Sequence, residues 1–112
     1  MSEDEAIFIQ AVQMADSLPL PVREQAESVQ SCERRVFDQS YLDFLREQIA
    51  LEPRGPEWTA ILMRRLSALT PFCGAPTLSA TIPTMAGDFC IRVDAQSRQV
   101  IYYAQYEPAG NV

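Results

Sequence analysis

Cys90 and Arg92 form a side-chain pair, on a predicted strand, whose types and spacing could activate a nucleophile. Residues two apart in a β-strand place their side chains on the same face of the sheet. A neighbouring guanidinium favours the thiolate, which is the reactive form of cysteine. Cysteine is also a common packing residue of protein interiors, and we expect a packed thiol at position 90 rather than a nucleophile.

Paired carboxylates are the second group that could do chemistry. Glu3, Asp4 and Glu5 are adjacent, Glu24 lies three residues before Glu27, and Asp43 lies four residues before Glu47. General acid–base catalysis needs one such carboxyl group desolvated in a cleft. These pairs lie on the polar sides of amphipathic segments, so we interpret them as solvated helix faces.

The residue inventory excludes several further chemistries. The sequence contains no histidine, and its nine basic residues are all arginine. It therefore lacks the imidazole of Ser–His and Cys–His systems and the lysine of Schiff-base enzymes. Cys32, Cys73 and Cys90 are an odd, widely spaced set, which predicts buried or half-buried thiols rather than a disulfide framework or a metal site. We predict no catalytic residue, no cofactor and no metal.

Length and charge define the elements that must position any binding site. The 112 residues suit a single domain, which we place at 1–107 with a frayed tail at 108–112. Residues 1–57 carry a net charge of −7 and residues 58–112 a net charge of +1. The absence of a basic stripe argues against nucleic-acid binding. The acidic first residues, and the lack of a long apolar run without proline or glycine, predict a cytoplasmic protein that does not enter a membrane.

Hydrophobic periodicity predicts an α+β fold that begins with helices. Ser2 and Glu5 have the form of a capping box, and Pro56 suits the first turn of a helix. Apolar residues at steps of three and four mark the buried faces. The predicted helices are 3–17, 22–37, 40–52 and 56–69. The second and third could also be one long bent helix, because no strong breaker separates them.

Period-two alternation then predicts a small antiparallel sheet with strands at 77–82, 88–94 and 99–106. A four-residue loop at 95–98 would pair Val93 with Val100, Ile91 with Tyr102 and Phe89 with Ala104 on the core face. Ile101 and Tyr103 would then lie on the solvent side, where large apolar groups need a cover. The cover would be a part of this chain or another protein, and a loop one residue shorter or longer would exchange the faces.

By elimination, these patterns favour a non-catalytic regulator that binds and blocks a partner protein, such as an anti-activator of a transcription factor. Apolar surface with an acidic flank would form the interface, and the same surface would make a homodimer in the free state. A structural subunit or secretion-type chaperone is the alternative, followed by an immunity protein or an atypical cysteine or carboxylate enzyme. Rigid aromatic and apolar side chains concentrate binding energy, so the predicted interface residues are Trp58, Leu62, Ile101, Tyr103 and Tyr106.

Overall fold

The computed structural model describes residues 1–52 and 54–106, and confirms the α+β class. Helices and strands are interleaved, because one strand precedes the last two long helices. The predicted tail at 108–112 and the domain boundary at 107 lie outside the described residues. In chain order the elements are α1 (Glu3–Gln13), α2 (Leu20–Glu24), a 3₁₀ turn (Ala26–Ser28), β1 (Gln30–Val36), α3 (Gln39–Leu51), α4 (Pro56–Leu69), a second 3₁₀ turn (Thr70–Phe72), β2 (Pro76–Thr84), β3 (Gly87–Asp94) and β4 (Val100–Tyr106).

The predicted helix at 22–37 is wrong, and so is the alternative of one long bent helix. Only Leu20–Glu24 is α-helical, and after a 3₁₀ turn the chain becomes strand β1. Ser31 has a φ of +57°, a left-handed conformation that a right-handed helix cannot contain. Pairing with β2 satisfies the backbone of this polar segment, and tertiary pairing therefore overrides its weak helical pattern.

The other helices follow the prediction more closely. The capping box of α1 is formed: the Glu5 amide donates to the Ser2 hydroxyl, and the Ser2 amide donates to the Glu5 carboxylate. This helix ends at Gln13 rather than at 17, and two successive turns then carry Leu18 into the core. Helices α3 and α4 lie within one residue of the predicted bounds, with Asp38 capping α3 and Pro56 opening α4.

All four strands pair in sequence order in one antiparallel sheet, so β1 and β4 are its edges. One face is apolar, with Leu78 opposite Val93 and Ile82 opposite Phe89. Helices α1 and α2 cover this face. The other face is polar along the same strands and carries Thr77, Ser79, Thr81, Cys90 and Arg92.

The β3–β4 hairpin is predicted correctly near its loop and wrongly beyond it. Val93 pairs with Val100, as a four-residue loop requires. A bulge between Arg92 and Val93 then shifts the register, and Ile91 pairs with Tyr103 instead of Tyr102. Since one extra residue exchanges the two faces of a strand, Tyr103 lies on the α1 side. Phe89 accordingly pairs with Gln105, not Ala104.

Two apolar clusters hold these elements together. The first joins α1 and α2 to the apolar sheet face and includes Phe8, Val12 and Ile82, all with 0% exposure. The second lies between α3, α4 and the start of β4, and its buried members are Phe37, Leu42, Leu45, Leu62 and Leu69. Half-buried residues, among them Trp58 and Tyr102, surround this second cluster.

Candidate functional site

A groove runs between helix α4 and the edge strand β4. Its volume is about 510 Å³, and we call it the α4–β4 groove. Ile61 is 38% exposed and Tyr106 is 56% exposed, so apolar and aromatic surface remains open to solvent there. Aromatic and arginine side chains are the types that protein interfaces enrich. The groove is lined by Trp58, Ile61, Arg64, Arg65, Tyr102, Tyr103, Ala104 and Tyr106.

The outer half of β4 adds an exposed sheet edge beside the groove. Residues 103–106 are exposed on both faces of the strand. In the described part of the chain no strand pairs with the outer edge of β4. An exposed sheet edge can accept an extended segment of another chain through main-chain hydrogen bonds. Groove and edge together have the form of a surface for an extended peptide.

Basic side chains line the groove within an acidic protein. Arg64 and Arg65 line it, and no acidic residue in the described part of the chain does so. The guanidinium of Arg65 lies 5.7 Å from the centroid of the Tyr102 ring, and that of Arg54 lies 5.2 Å from the centroid of Trp58. Such stacking holds an arginine in place by about 0.5–1 kcal/mol at exposed sites while leaving its N–H groups free to donate.

A smaller cavity of about 190 Å³, which we call the arginine pocket, adjoins the groove. The two share four lining residues, of which Arg65, Tyr102 and Tyr106 carry polar groups. Arg92 lines the pocket from β3 and is only 8% exposed. The pocket therefore places two guanidinium groups in one small space on the polar face of the sheet.

Neutral oxygens hold the buried Arg92. Its Nε donates to the Tyr102 hydroxyl at 3.0 Å, and its Nη1 donates to Thr77 Oγ1 at 2.9 Å. The guanidinium also lies over the Phe37 ring, 4.7 Å from its centroid. Its nearest carboxylate contact is loose: Nη2 lies 4.0 Å from Glu33, whose side chain is 65% exposed.

The structure divides the five predicted interface residues into two sets. Trp58, Tyr103 and Tyr106 line the groove. Leu62 is 4% exposed and belongs to the second cluster, against which Ile101 also packs. The cover predicted for Ile101 is thus this chain itself. Tyr103 is 42% exposed, and its ring centroid lies 6.1 Å from that of Phe89 on the α1 side.

Sequence reasoning missed Ile61, Arg64, Arg65 and Arg92 as candidate binding residues. Ile61 belongs to an apolar stripe of α4 that is wider than the buried core, and stripe width alone does not show which members stay exposed. The adjacent residues Arg64 and Arg65 were the sequence feature that could have indicated a basic binding surface on α4. Arg92 gave none, because the pocket depends on the bulge that brings Tyr102 opposite it.

Of the candidates for chemistry, Cys90 and Arg92 both line the arginine pocket. Cys90 is half-buried, with its Sγ 3.5 Å from Thr81 Oγ1, while the N–H groups of Arg92 go to Thr77 and Tyr102. Burial, with a smaller contribution from Asp4, raises the pKa of the Cys32 thiol and so disfavours its thiolate. Cys73 is exposed, which corrects its prediction as a buried or half-buried thiol.

The predicted carboxylate pairs Glu24/Glu27 and Asp43/Glu47 are exposed, as expected of solvated faces. Across residues 1–52 and 54–106, no three acidic or cysteine side chains come together to hold a metal ion. None of the helices in this part of the chain is long and apolar enough to cross a membrane.

A wider depression of about 630 Å³ lies between the end of α1 and the β3–β4 turn. Its lining is mostly neutral side chains, and among the described residues Arg98 is the one charged and Phe72 the one aromatic residue there. It therefore lacks the grouped aromatic and arginine side chains of interface hot spots. The α4–β4 groove is therefore the better candidate despite its smaller volume.

Comparison of the chain with protein-family models, with curated proteins and with solved structures finds no match.

Proposed function

We propose that this protein is a non-catalytic regulator that binds a partner protein in the α4–β4 groove and so blocks a functional surface of that partner. The observation that supports this best is the open groove beside an edge strand, with aromatic, aliphatic and arginine side chains in one place. An anti-activator that occupies a surface of a transcription factor is the form of regulator that we favour.

The test compares three forms of the protein as bait in affinity purification. Ile61→Asp places a charge in the groove, and Met85→Asp places the same charge on a fully exposed turn, 102% exposed. A partner retained by the wild type and by Met85→Asp, but weakened at least about tenfold by Ile61→Asp, supports the proposal, because hot-spot losses reach this size. Equal retention by all three folded proteins contradicts it.

A second measurement separates a regulator from a structural subunit. The purified partner is assayed for its own activity with and without this protein. We expect stoichiometric loss of activity with the wild type and none with Ile61→Asp. A partner whose activity needs this protein would instead identify a subunit of a larger assembly.

Self-association of the free protein follows from the same surface. Exposed apolar residues and an open strand edge favour pairing between two copies when no partner is bound. Sedimentation over a concentration series should show a dimer that Ile61→Asp weakens and Met85→Asp does not. A strictly monomeric wild type would show that the surface does not self-pair.

A further inference from the structure

The arginine pocket brings two guanidinium groups together, those of Arg65 and Arg92, and no acidic residue among 1–52 and 54–106 lines it. The buried carboxylate of Asp94 lies two residues after Arg92 on β3, and within those ranges it forms no ion pair with either arginine. Buried charges in proteins are as a rule paired, because desolvation of an unpaired ion is costly. Arg92 is 8% exposed, yet its carboxylate contact, at 4.0 Å, is to the solvent-exposed Glu33.

Other arginines of this chain show what a close pair looks like here. Arg34 reaches Asp4 at 2.7 Å, and Arg46 reaches Asp43 at 3.0 Å. Arg92 instead uses two of its five N–H groups on the neutral oxygens of Tyr102 and Thr77. Within residues 1–52 and 54–106 its other three N–H groups have no hydrogen-bond partner, and they lie beside a second guanidinium and a cavity of about 190 Å³.

We propose that the arginine pocket binds a carboxylate of the partner, carried by an aspartate or glutamate in an extended segment that lies along β4. This inference rests on the proposed function and names the chemistry of its partner. The planar guanidinium fork matches a carboxylate in two parallel hydrogen bonds. Apolar side chains of the same segment would contact Trp58 and Ile61 in the adjoining groove.

Charge complementarity favours an acidic protein segment over a nucleic acid. Both would be attracted to the arginines and could stack on the aromatic rings. The chain as a whole has a net charge of −6, however, and nucleic-acid binding depends on attraction to many phosphates in a row. A short acidic segment needs only the local charge of the pocket.

The test uses acetate as the probe and acetamide as its neutral counterpart of the same shape. Each is titrated at constant ionic strength into ¹⁵N-labelled protein, and the side-chain Nε–H signals of arginine are followed by NMR. We expect acetate to shift the Arg92 and Arg65 signals to saturation, and acetamide to leave them in place. Arg65→Gln should weaken acetate binding about tenfold, since a charge-assisted hydrogen bond is lost.

Arg46→Gln is the matched control, because it removes the same charge from an arginine that already pairs with Asp43. It should leave acetate binding unchanged. Acetate without saturation at Arg92, or equal effects of Arg46→Gln and Arg65→Gln, would overturn the carboxylate site. Inorganic phosphate that binds ten times more tightly than acetate, or an oligonucleotide that shifts the same signals at lower concentration, would also overturn it.

The two proposals fail in distinguishable ways. If Ile61→Asp abolishes partner binding while acetate does not shift Arg92, the groove is the interface and the carboxylate site is wrong. If acetate binds but Ile61→Asp leaves partner binding intact, the pocket does not serve a partner docked in the groove, and the assignment of its carboxylate to that partner is wrong. Loss of partner binding in Arg65→Gln, with Arg46→Gln unaffected, supports both.

Discussion

The two sides of the sheet differ in how completely the chain closes them. On the α1 side, fourteen buried residues form one apolar cluster, and Phe8 and Ile82 have no exposure at all. On the α3–α4 side the buried cluster has five members, and half-buried aromatic residues surround it. The chain's own helices cover the first side, whereas aromatic surface stays exposed at the margin of the second.

The arginines differ in the same way. Beside the first cluster, Arg23 and Arg34 pair with carboxylates of the chain. Around the second cluster the guanidinium groups of four arginines lie 4.7–5.7 Å from the centroids of aromatic rings: Arg35, Arg54, Arg65 and Arg92. Arg46 pairs with Asp43, its neighbour on the same helix α3. Stacked arginines keep donors available, and this is the physical difference between the closed side of the sheet and the open one.

The largest expected effect tests whether the first side carries the stability of the fold. Phe8→Ala removes a ring with 0% exposure from the first cluster, and we expect a loss of about 3–5 kcal/mol in the free energy of unfolding. Phe44→Ala is the matched control, because Phe44 on α3 is 51% exposed. It should cost about 1 kcal/mol or less. Urea denaturation measures both, and equal losses would remove the contrast between the two sides.

How many of the elements on the two sides could be located from the sequence depends on the strength of their local signals. Helices α3 and α4 could be placed within one residue, because their apolar stripes are regular and Pro56 marks the start of α4. Strand β1 could not, since Gln30–Val36 is mostly polar and exposed, and an edge strand needs no apolar alternation. Its existence depends on pairing with β2, a contact remote in sequence.

The site was harder to predict than the fold for a related reason. Loop length correctly fixed Val93 opposite Val100, but nothing local announces the bulge beside Arg92. That one extra residue brings Tyr102 over Arg92 and moves Tyr103 to the α1 side of the sheet. Trp58 and Tyr106 could be named as candidates because large aromatics are candidates anywhere, whereas the arginine pocket exists only in the assembled sheet.

An intermediate effect tests the dependence of Arg92 on neutral oxygens. The Thr77 hydroxyl accepts from Arg92 at 2.9 Å and donates to the Arg35 carbonyl at 2.7 Å, and Thr77 is fully buried. Thr77→Val keeps the shape of the side chain and removes both bonds. We expect a loss of about 1–3 kcal/mol in unfolding free energy, since buried polar groups are left unpaired.

Thr81→Val is the control for that substitution. Thr81 lies on the same strand and face but is half-buried, and its hydroxyl contacts the Cys90 thiol at 3.5 Å. It should change the unfolding free energy by less than about 1 kcal/mol. If Thr81→Val lowers the unfolding free energy as much as Thr77→Val does, the loss reflects only the removal of a hydroxyl group from this face. The hydrogen bonds to Arg92 would then add nothing to stability.

The smallest expected effect concerns the ion pair that marks the first side. The hydrogen bond from Arg34 holds the pKa of Asp4 below its ordinary value of 3.8. A carboxyl group with a lowered pKa in the folded state stabilises the protein above its unfolded pKa, and this contribution is lost as the pH falls through the folded pKa. Wild type should therefore be more stable than Asp4→Asn at pH 6, and the gap should close toward pH 2.

The melting temperatures of both proteins across this pH range measure the difference in stability. We expect this difference to be smaller than the loss of stability caused by Thr77→Val, because exposed ion pairs are screened by water. Added salt should reduce it further at pH 6. Asp43→Asn, which breaks the pair with Arg46 within helix α3, should give a still smaller gap, because that pair joins no two elements. If the stability difference between wild type and Asp4→Asn does not change with pH, Asp4 acts through packing rather than through its charge. Pairing with a carboxylate would then no longer distinguish the arginines of the closed side from those of the open side.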